Sequence, residues 1–157
     1  MFSRIIKKGD FVLSSGAKSR YNYDYSQLSD TMNEAYCSLL KQKLDVWQSK
    51  HGKFDVVIGC ETEGIRIGYV LSKLINLPFY IMPKKSTDYS EVVIPAYPVD
   101  THWLIVDDIV TTGSTYIKAV DFLDIEEKPE SITFACMIKR NTKNMDYSAV
   151  HGDLDKE

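Results

Sequence analysis

The chain has 157 residues, 44% of them hydrophobic and 26% charged, which suits one domain with its own core. Lys plus Arg number 19 and Asp plus Glu 22, a net charge of -3 that argues against a general role on nucleic acid or a membrane surface. No apolar run approaches the ~20 residues of a membrane-spanning helix, and the first eight residues lack a signal-peptide core.

Residues 11–13 form a short β-prone run, followed by a turn-rich stretch at 14–19 and then by Arg20, Tyr21, Asn22, Tyr23, Asp24 and Tyr25, aromatic loosely alternating with polar. Gly16-Ala17-Lys18-Ser19 looks superficially like a nucleotide-phosphate loop, but the required earlier glycine is missing and Lys does not follow Gly16 directly. Residues 26–50 carry Leu28, Met32, Ala35, Tyr36, Leu39, Leu40, Leu44 and Trp47 at three- and four-residue steps, which predicts a long amphipathic helix. Ser26 or Ser29 caps it, and His51-Gly52 ends it. Residues 54–58 read as the first core strand. The glycine-bounded loop Gly59-Cys60-Glu61-Thr62-Glu63-Gly64 follows and lets backbone amides approach an anion closely. A helix is expected over 65–75, broken by Leu77-Pro78, then a short strand over 79–82. A polar basic loop at 83–90 contains Lys84 and Lys85, and a further strand is expected over 91–94.

The most informative stretch is 104–115. Leu104, Ile105 and Val106 suit a buried strand, which is expected to stop at Asp107 and Asp108. Ile109 and Val110 lead to a hydroxyl-rich turn, Thr111, Thr112, Gly113, Ser114 and Thr115, that opens a helix over 115–123. Acids at the carboxyl end of such a strand meet polyhydroxyl or metal-bound ligands. Unpaired N–H groups and hydroxyls at a helix start hold phosphate. A last strand over 131–138 ends at Lys139-Arg140-Asn141, and 141–157 read as a polar tail. Strands alternating with helices imply βαβ units and a mainly parallel, flavodoxin-like sheet of about five strands flanked by helices. The cysteines, Cys37, Cys60 and Cys136, and the three histidines are dispersed, which fits a reducing, cytoplasmic compartment and no zinc site.

The segment 104–115 resembles the signature of the type I phosphoribosyltransferases, which bind 5-phosphoribosyl 1-pyrophosphate (PRPP): apolar residues, two acids, two apolar residues, Thr-Thr-Gly, any residue, Thr. Ser15-Gly16 and Ser19-x-Tyr21-x-x-Asp24 resemble the N-terminal hood of orotate phosphoribosyltransferases, and Glu61-Thr62-Glu63-Gly64-Ile65 is similar to their Glu-Thr-Gly-Gly-Ile. The resemblance implies one phosphoribosyltransferase domain over 1–157, with a hood segment at 1–25, an α/β core at 26–140 and a tail at 141–157, shorter at its C-terminus than family members commonly are. It implies Mg²⁺-dependent transfer of a 5-phosphoribosyl group from PRPP to a nucleobase, orotate favoured, giving orotidine 5′-monophosphate and pyrophosphate in a homodimer. Asp107 and Asp108 would be catalytic, holding the ribose hydroxyls and, through water and PRPP, the metal. Thr111, Thr112, Gly113, Ser114 and Thr115 would bind the 5′-phosphate, and Cys60, Glu61, Thr62, Glu63 and Gly64 the pyrophosphate. Lys84 and Lys85 would act on the leaving group, and Tyr21, Asn22, Tyr23, Thr111 and Arg140 would face the base. Glu63 stands where a small residue is common, Pro83 replaces an arginine, and the family's loop lysine falls near Thr87 or Asp88. Those departures leave open a phosphoribosyltransferase for another base or a catalytically weak PRPP-binding regulatory protein; a flavodoxin-like structural module is the bland alternative.

Overall fold

Five parallel strands make the central sheet: β3 (Val56–Cys60), β4 (Phe79–Met82), β5 (His102–Val110), β6 (Ser131–Lys139) and β7 (Ala149–His151), in the order β4-β3-β5-β6-β7. The computed structural model describes residues 6–12, 16, 18–84, 101–110, 113–123, 129–139 and 149–151. Strands covered on both faces must be apolar on both faces, and they are: every residue of β3 is buried, as are Trp103 to Val106 of β5 and Phe134 to Ile138 of β6. Counted along the chain within this sheet, the order is 2-1-3-4-5. The winding direction therefore reverses between β3 and β5, and a crevice opens where their carboxyl ends diverge.

Helices α1 (Asp30–His51) and α2 (Glu63–Ile75) cover one face, packing Leu40, Leu44, Ile67 and Leu71 against Val57, Leu104, Ala135 and Met137. Helix α3 (Ser114–Leu123) covers the other, where Ala119 joins Val56, Ile58, Ile105 and Phe134. Each fully buried leucine or isoleucine of these layers contributes roughly 1.5–3 kcal/mol. The cap of α1 is Ser29, whose hydroxyl accepts the Met32 N–H at 3.2 Å; residues 25–27 form a separate turn of 3-10 helix. Gly52 closes α1 with φ +100 and an N–H donated to the Gln48 carbonyl. Buried Asn33 accepts the Tyr25 hydroxyl at 2.8 Å, and burial pushes the Cys37 thiol one turn on up to about 12.

Ahead of α1, β1 (Ile6–Val12) and β2 (Lys18–Tyr23) pair antiparallel in a two-stranded sheet of their own, with a bulge between Lys8 and Phe11. This is the expected strand-turn-strand, with a first strand that begins five residues earlier than the apolar run 11–13.

Other expectations are corrected. Helix α2 starts at Glu63, not Ile65, and β3 spans Val56–Cys60, two residues later than 54–58. Strand β5 does not stop at the acids: Asp107 pairs with Cys136 and Val110 with Lys139, because ladder hydrogen bonds belong to the backbone and tolerate polar side chains. The stretch 141–157 is not only a tail. Ala149–His151 pairs with Phe134 to Cys136, satisfying backbone groups that β6 would otherwise leave at an edge. The expected strand over 91–94 and the basic loop beyond Lys84 lie outside the described residues. Among the described residues no helix is long and apolar enough to cross a membrane.

Candidate active site

The crevice between β3 and β5 opens into a cleft of about 590 Å³. Its floor is the carboxyl end of β5, where Asp107 and Asp108 both border it. Asp107 is only 7% exposed; its Oδ1 accepts the Asp108 N–H at 2.9 Å, and the Asp108 Oδ1 accepts the Ile109 N–H at 2.8 Å. Burial pushes both carboxyls above the usual carboxylate range, Asp107 well above it with Asp108 adding to the rise, while the Lys84 charge opposes it. Among the described residues neither makes an ion pair. Two adjacent acids, largely buried and without an ion pair among the described residues, are costly to the fold, which makes this cleft the candidate site.

One wall comes from the exit of β3. The Cys60 thiol is buried and pushed well up, first by that burial and then by Asp107 and Asp108. Glu61 accepts the Lys84 N–H at 2.8 Å and gives its own N–H to the Met82 carbonyl at 3.0 Å, which joins the two loops at this end of the cleft. The Glu61–Thr62 peptide is cis. Glu63 opens α2, with Oε2 3.8 Å from the Arg66 Nη1, and burial raises its carboxyl as well. Gly64 is required by contact: a Cβ there would lie 2.5 Å from the Val106 carbonyl oxygen and 3.2 Å from the Asp107 Cα. The first turn of α2 is thus seated against β5 at the aspartate itself.

The facing wall is the start of α3, where Ser114 and Thr115 border the cleft and Lys118 joins them one turn on. Gly113 precedes them at φ +79 and accepts the Ile117 N–H at 2.9 Å. The hairpin supplies the roof: Phe11, Val12, Asn22 and Tyr23 line the cleft. Tyr21 does not; it is 41% exposed, while Asn22 and Tyr23 after it are progressively covered.

The structure therefore brings together Asn22, Tyr23, Cys60, Glu61, Thr62, Glu63, Lys84, Asp107, Asp108, Ser114 and Thr115 of the expected residues. Gly64 and Gly113 shape the walls without lining them. Lys85, Thr111, Thr112 and Arg140 lie outside the described residues. Phe11 and Val12 belong to the expected hood segment without having been assigned to the site, and Met82, Pro83, Ile109 and Lys118 were not anticipated. Only Lys118 had a readable signal, its four-residue spacing from Ser114.

The charged lining comprises Glu61, Glu63, Asp107 and Asp108 against Lys84 and Lys118. Yet among the described residues no three His, Cys, Asp or Glu side chains are placed to hold a metal by themselves. A cation here would draw most of its ligands from a bound phosphate and water, the manner in which Mg²⁺ is commonly held. The acceptors fit it: four carboxylates border the cleft beside the Cys60 thiol, and among the described residues one shielded carboxylate oxygen, Glu63 Oε2, accepts no hydrogen bond.

Comparison with known proteins matches residues 24–156 to the family model described as phosphoribosyl transferase domain. The orotate phosphoribosyltransferase of Sulfurisphaera tokodaii is 30% identical over 125 residues, which cover 79% of this chain and 63% of that protein. That of Aeropyrum pernix is 28% identical over 119 residues, covering 75% of this chain and 63% of that protein. The chain thus spans a little under two thirds of the length of these curated relatives. Among solved structures, orotate phosphoribosyltransferase from Aeropyrum pernix superposes with a TM-score of 0.74 at 21% identity, covering 94% of this chain and 86% of that one. Adenine phosphoribosyltransferase from Saccharomyces cerevisiae superposes at 0.71 and 14% identity, covering 96% and 95%. At such identities the likeness establishes the fold.

Proposed function

This chain belongs to the phosphoribosyl transferase domain family, and from that premise we propose that it transfers a 5-phosphoribosyl group from PRPP to a nucleobase, releasing pyrophosphate. The favoured base is orotate, giving orotidine 5′-monophosphate. The observation that carries the reading is the placement of Asp107 and Asp108 between an anion loop and a hydroxyl-bearing helix start in one cleft.

In this reaction the bond from the ribose C1 to pyrophosphate breaks as the bond to the base nitrogen forms, and positive charge develops on the ribose. Asp107 and Asp108 accept hydrogen bonds from the ribose hydroxyls and stabilise that charge; in so buried a floor the effect exceeds what it is in water. Ser114 and Thr115, with Thr111, Thr112 and Gly113, hold the 5′-phosphate. Cys60, Glu61, Thr62, Glu63 and Gly64 frame the pyrophosphate, and Lys84 and Lys85 neutralise it as it leaves. Asn22, Tyr23 and Arg140 set the base against C1. Mg²⁺, when bound, would supply charge neutralisation to the leaving group, and Asp107 and Asp108 would hold it through water and PRPP. No protein nucleophile takes part, so catalysis is positioning and electrostatics. We assign the acting form as a homodimer, by the resemblance.

A second reading has one observation in its favour. Asn22, where it borders the cleft, offers a neutral amide, donor and acceptor both, which suits a base other than orotate.

The test uses purified protein with PRPP and Mg²⁺ against orotate, uracil and the purine bases, following pyrophosphate release. Turnover with orotate is expected. Turnover with another base alone shifts the assignment to that base. Saturable PRPP binding without turnover on any base makes the chain a PRPP-binding regulator, and failure to bind PRPP overturns the reading.

A further inference from the structure

We propose that Glu63 is an outer-shell contact for a cation, held in reserve: Arg66 neutralises it while the cleft is empty, and a hydrated divalent cation arriving with pyrophosphate takes it over through a bound water. The inference rests on the phosphoribosyl-transfer reading and deepens it at the residue that departs from the family's pattern.

Glu63 is the loosely held partner of its pair. Its Oε2 is shielded from solvent and among the described residues accepts no hydrogen bond, and the Arg66 Nη1 stands 3.8 Å away, beyond hydrogen-bond length. The hydrogen bonds of Arg66 go elsewhere, through Nη2, while its buried Nε has no partner among the described residues. Its Nη2 donates to the carbonyls of Leu28 at 2.7 Å and Ser29 at 3.4 Å, and its guanidinium lies 5.5 Å over the Tyr25 ring. Those contacts tie α2 to the segment joining the hairpin to α1, and they do not need Glu63. Glu63 borders the cleft and Arg66 does not.

Charge supplies the reason for the exchange. A carboxylate in the first turn of α2 is favourable while the helix start is empty. Once pyrophosphate occupies the neighbouring amides, the same carboxylate repels it, in a cleft where acids already outnumber lysines. A divalent cation between the two converts that repulsion into attraction. Mg²⁺ keeps several waters and takes one or two carboxylates besides phosphate oxygens. The unused Oε2 is then an acceptor for a cation-bound water, a contact of the outer-shell kind.

The experiment replaces Mg²⁺ by Mn²⁺ and measures free Mn²⁺ by electron paramagnetic resonance, with full-length protein and saturating pyrophosphate. Glu63→Gln is expected to weaken Mn²⁺ binding about tenfold. Arg66→Gln is expected to tighten it, because it frees Glu63. A shared structural role would weaken both, so opposite signs support the proposal and each variant decides by its sign if the other fails to fold. Unchanged or tighter Mn²⁺ binding by Glu63→Gln, with pyrophosphate still bound, overturns this inference alone. Wild-type protein that binds neither Mn²⁺-pyrophosphate nor Mn²⁺-PRPP overturns it together with the functional reading.

Discussion

Asp107→Asn should make the empty protein more stable and the working protein worse. Asp107 is 7% exposed, and the hydrogen bond it accepts from the Asp108 amide is one an asparagine Oδ1 also accepts. The substitution removes a charge that is both desolvated and set beside a like charge. Relief of this kind at a functional site is worth about 1–2 kcal/mol, or roughly 2–8 °C in melting temperature for a chain of this size. PRPP with Mg²⁺ at about 100 times its dissociation constant adds about 2.7 kcal/mol to the wild type, and the variant loses much of that gain. The order of stabilities therefore reverses on adding ligand, and turnover falls about 100-fold. Scanning calorimetry of both proteins, with and without PRPP and Mg²⁺, reads the reversal directly. An empty variant less stable than the wild type, or an equal shift by ligand in both, refutes the reasoning.

The same acids set a pH dependence. Their native pKa values lie above the unfolded ones, so their cost is fully present above the raised native values and gone once pH falls below the unfolded value of about 3.8. On acidification from neutral, the empty wild type should gain stability relative to an Asp107→Asn/Asp108→Asn double variant; a constant difference in urea midpoint would contradict this. Gly64→Ala drives a Cβ into the Val106 carbonyl. It should cost about 1–3 kcal/mol in urea unfolding and abolish PRPP binding in titration calorimetry. Lys118→Gln removes a cation from the phosphate side of the cleft. It should raise KM for PRPP about tenfold with kcat little changed; an unchanged KM would remove Lys118 from the site.

Much of this molecule was legible in one dimension because the physics there is local. The apolar steps of 26–50 place α1, one of two candidate serines, Ser29, and Gly52 bound it, and apolar runs, broken only by Asp55 ahead of β3, mark β3 and β5 as strands covered on both faces. The acids followed by a hydroxyl-rich turn point to the proposed chemistry, since residue type and order carry that signal. The failures share one cause. Asp107 and Asp108 stay inside β5, and Ala149–His151 becomes a strand, because β6 lies alongside each with backbone groups to pair. No neighbour in sequence reports that.

The amino-acid sequence by itself determined the element types, the parallel α/β class and the acids and hydroxyls to which the proposed reaction is assigned. Only the tertiary structure decided that Phe11 and Asn22 border the same cleft as those acids, that Lys118 joins them there and that Glu63 stands beside Arg66 with an oxygen that, among the described residues, accepts no hydrogen bond. The reason is geometric. The cleft exists where the winding reverses between β3 and β5, and that reversal comes from pairing Val57 with Leu104 across 47 positions of chain, beyond the reach of any local pattern.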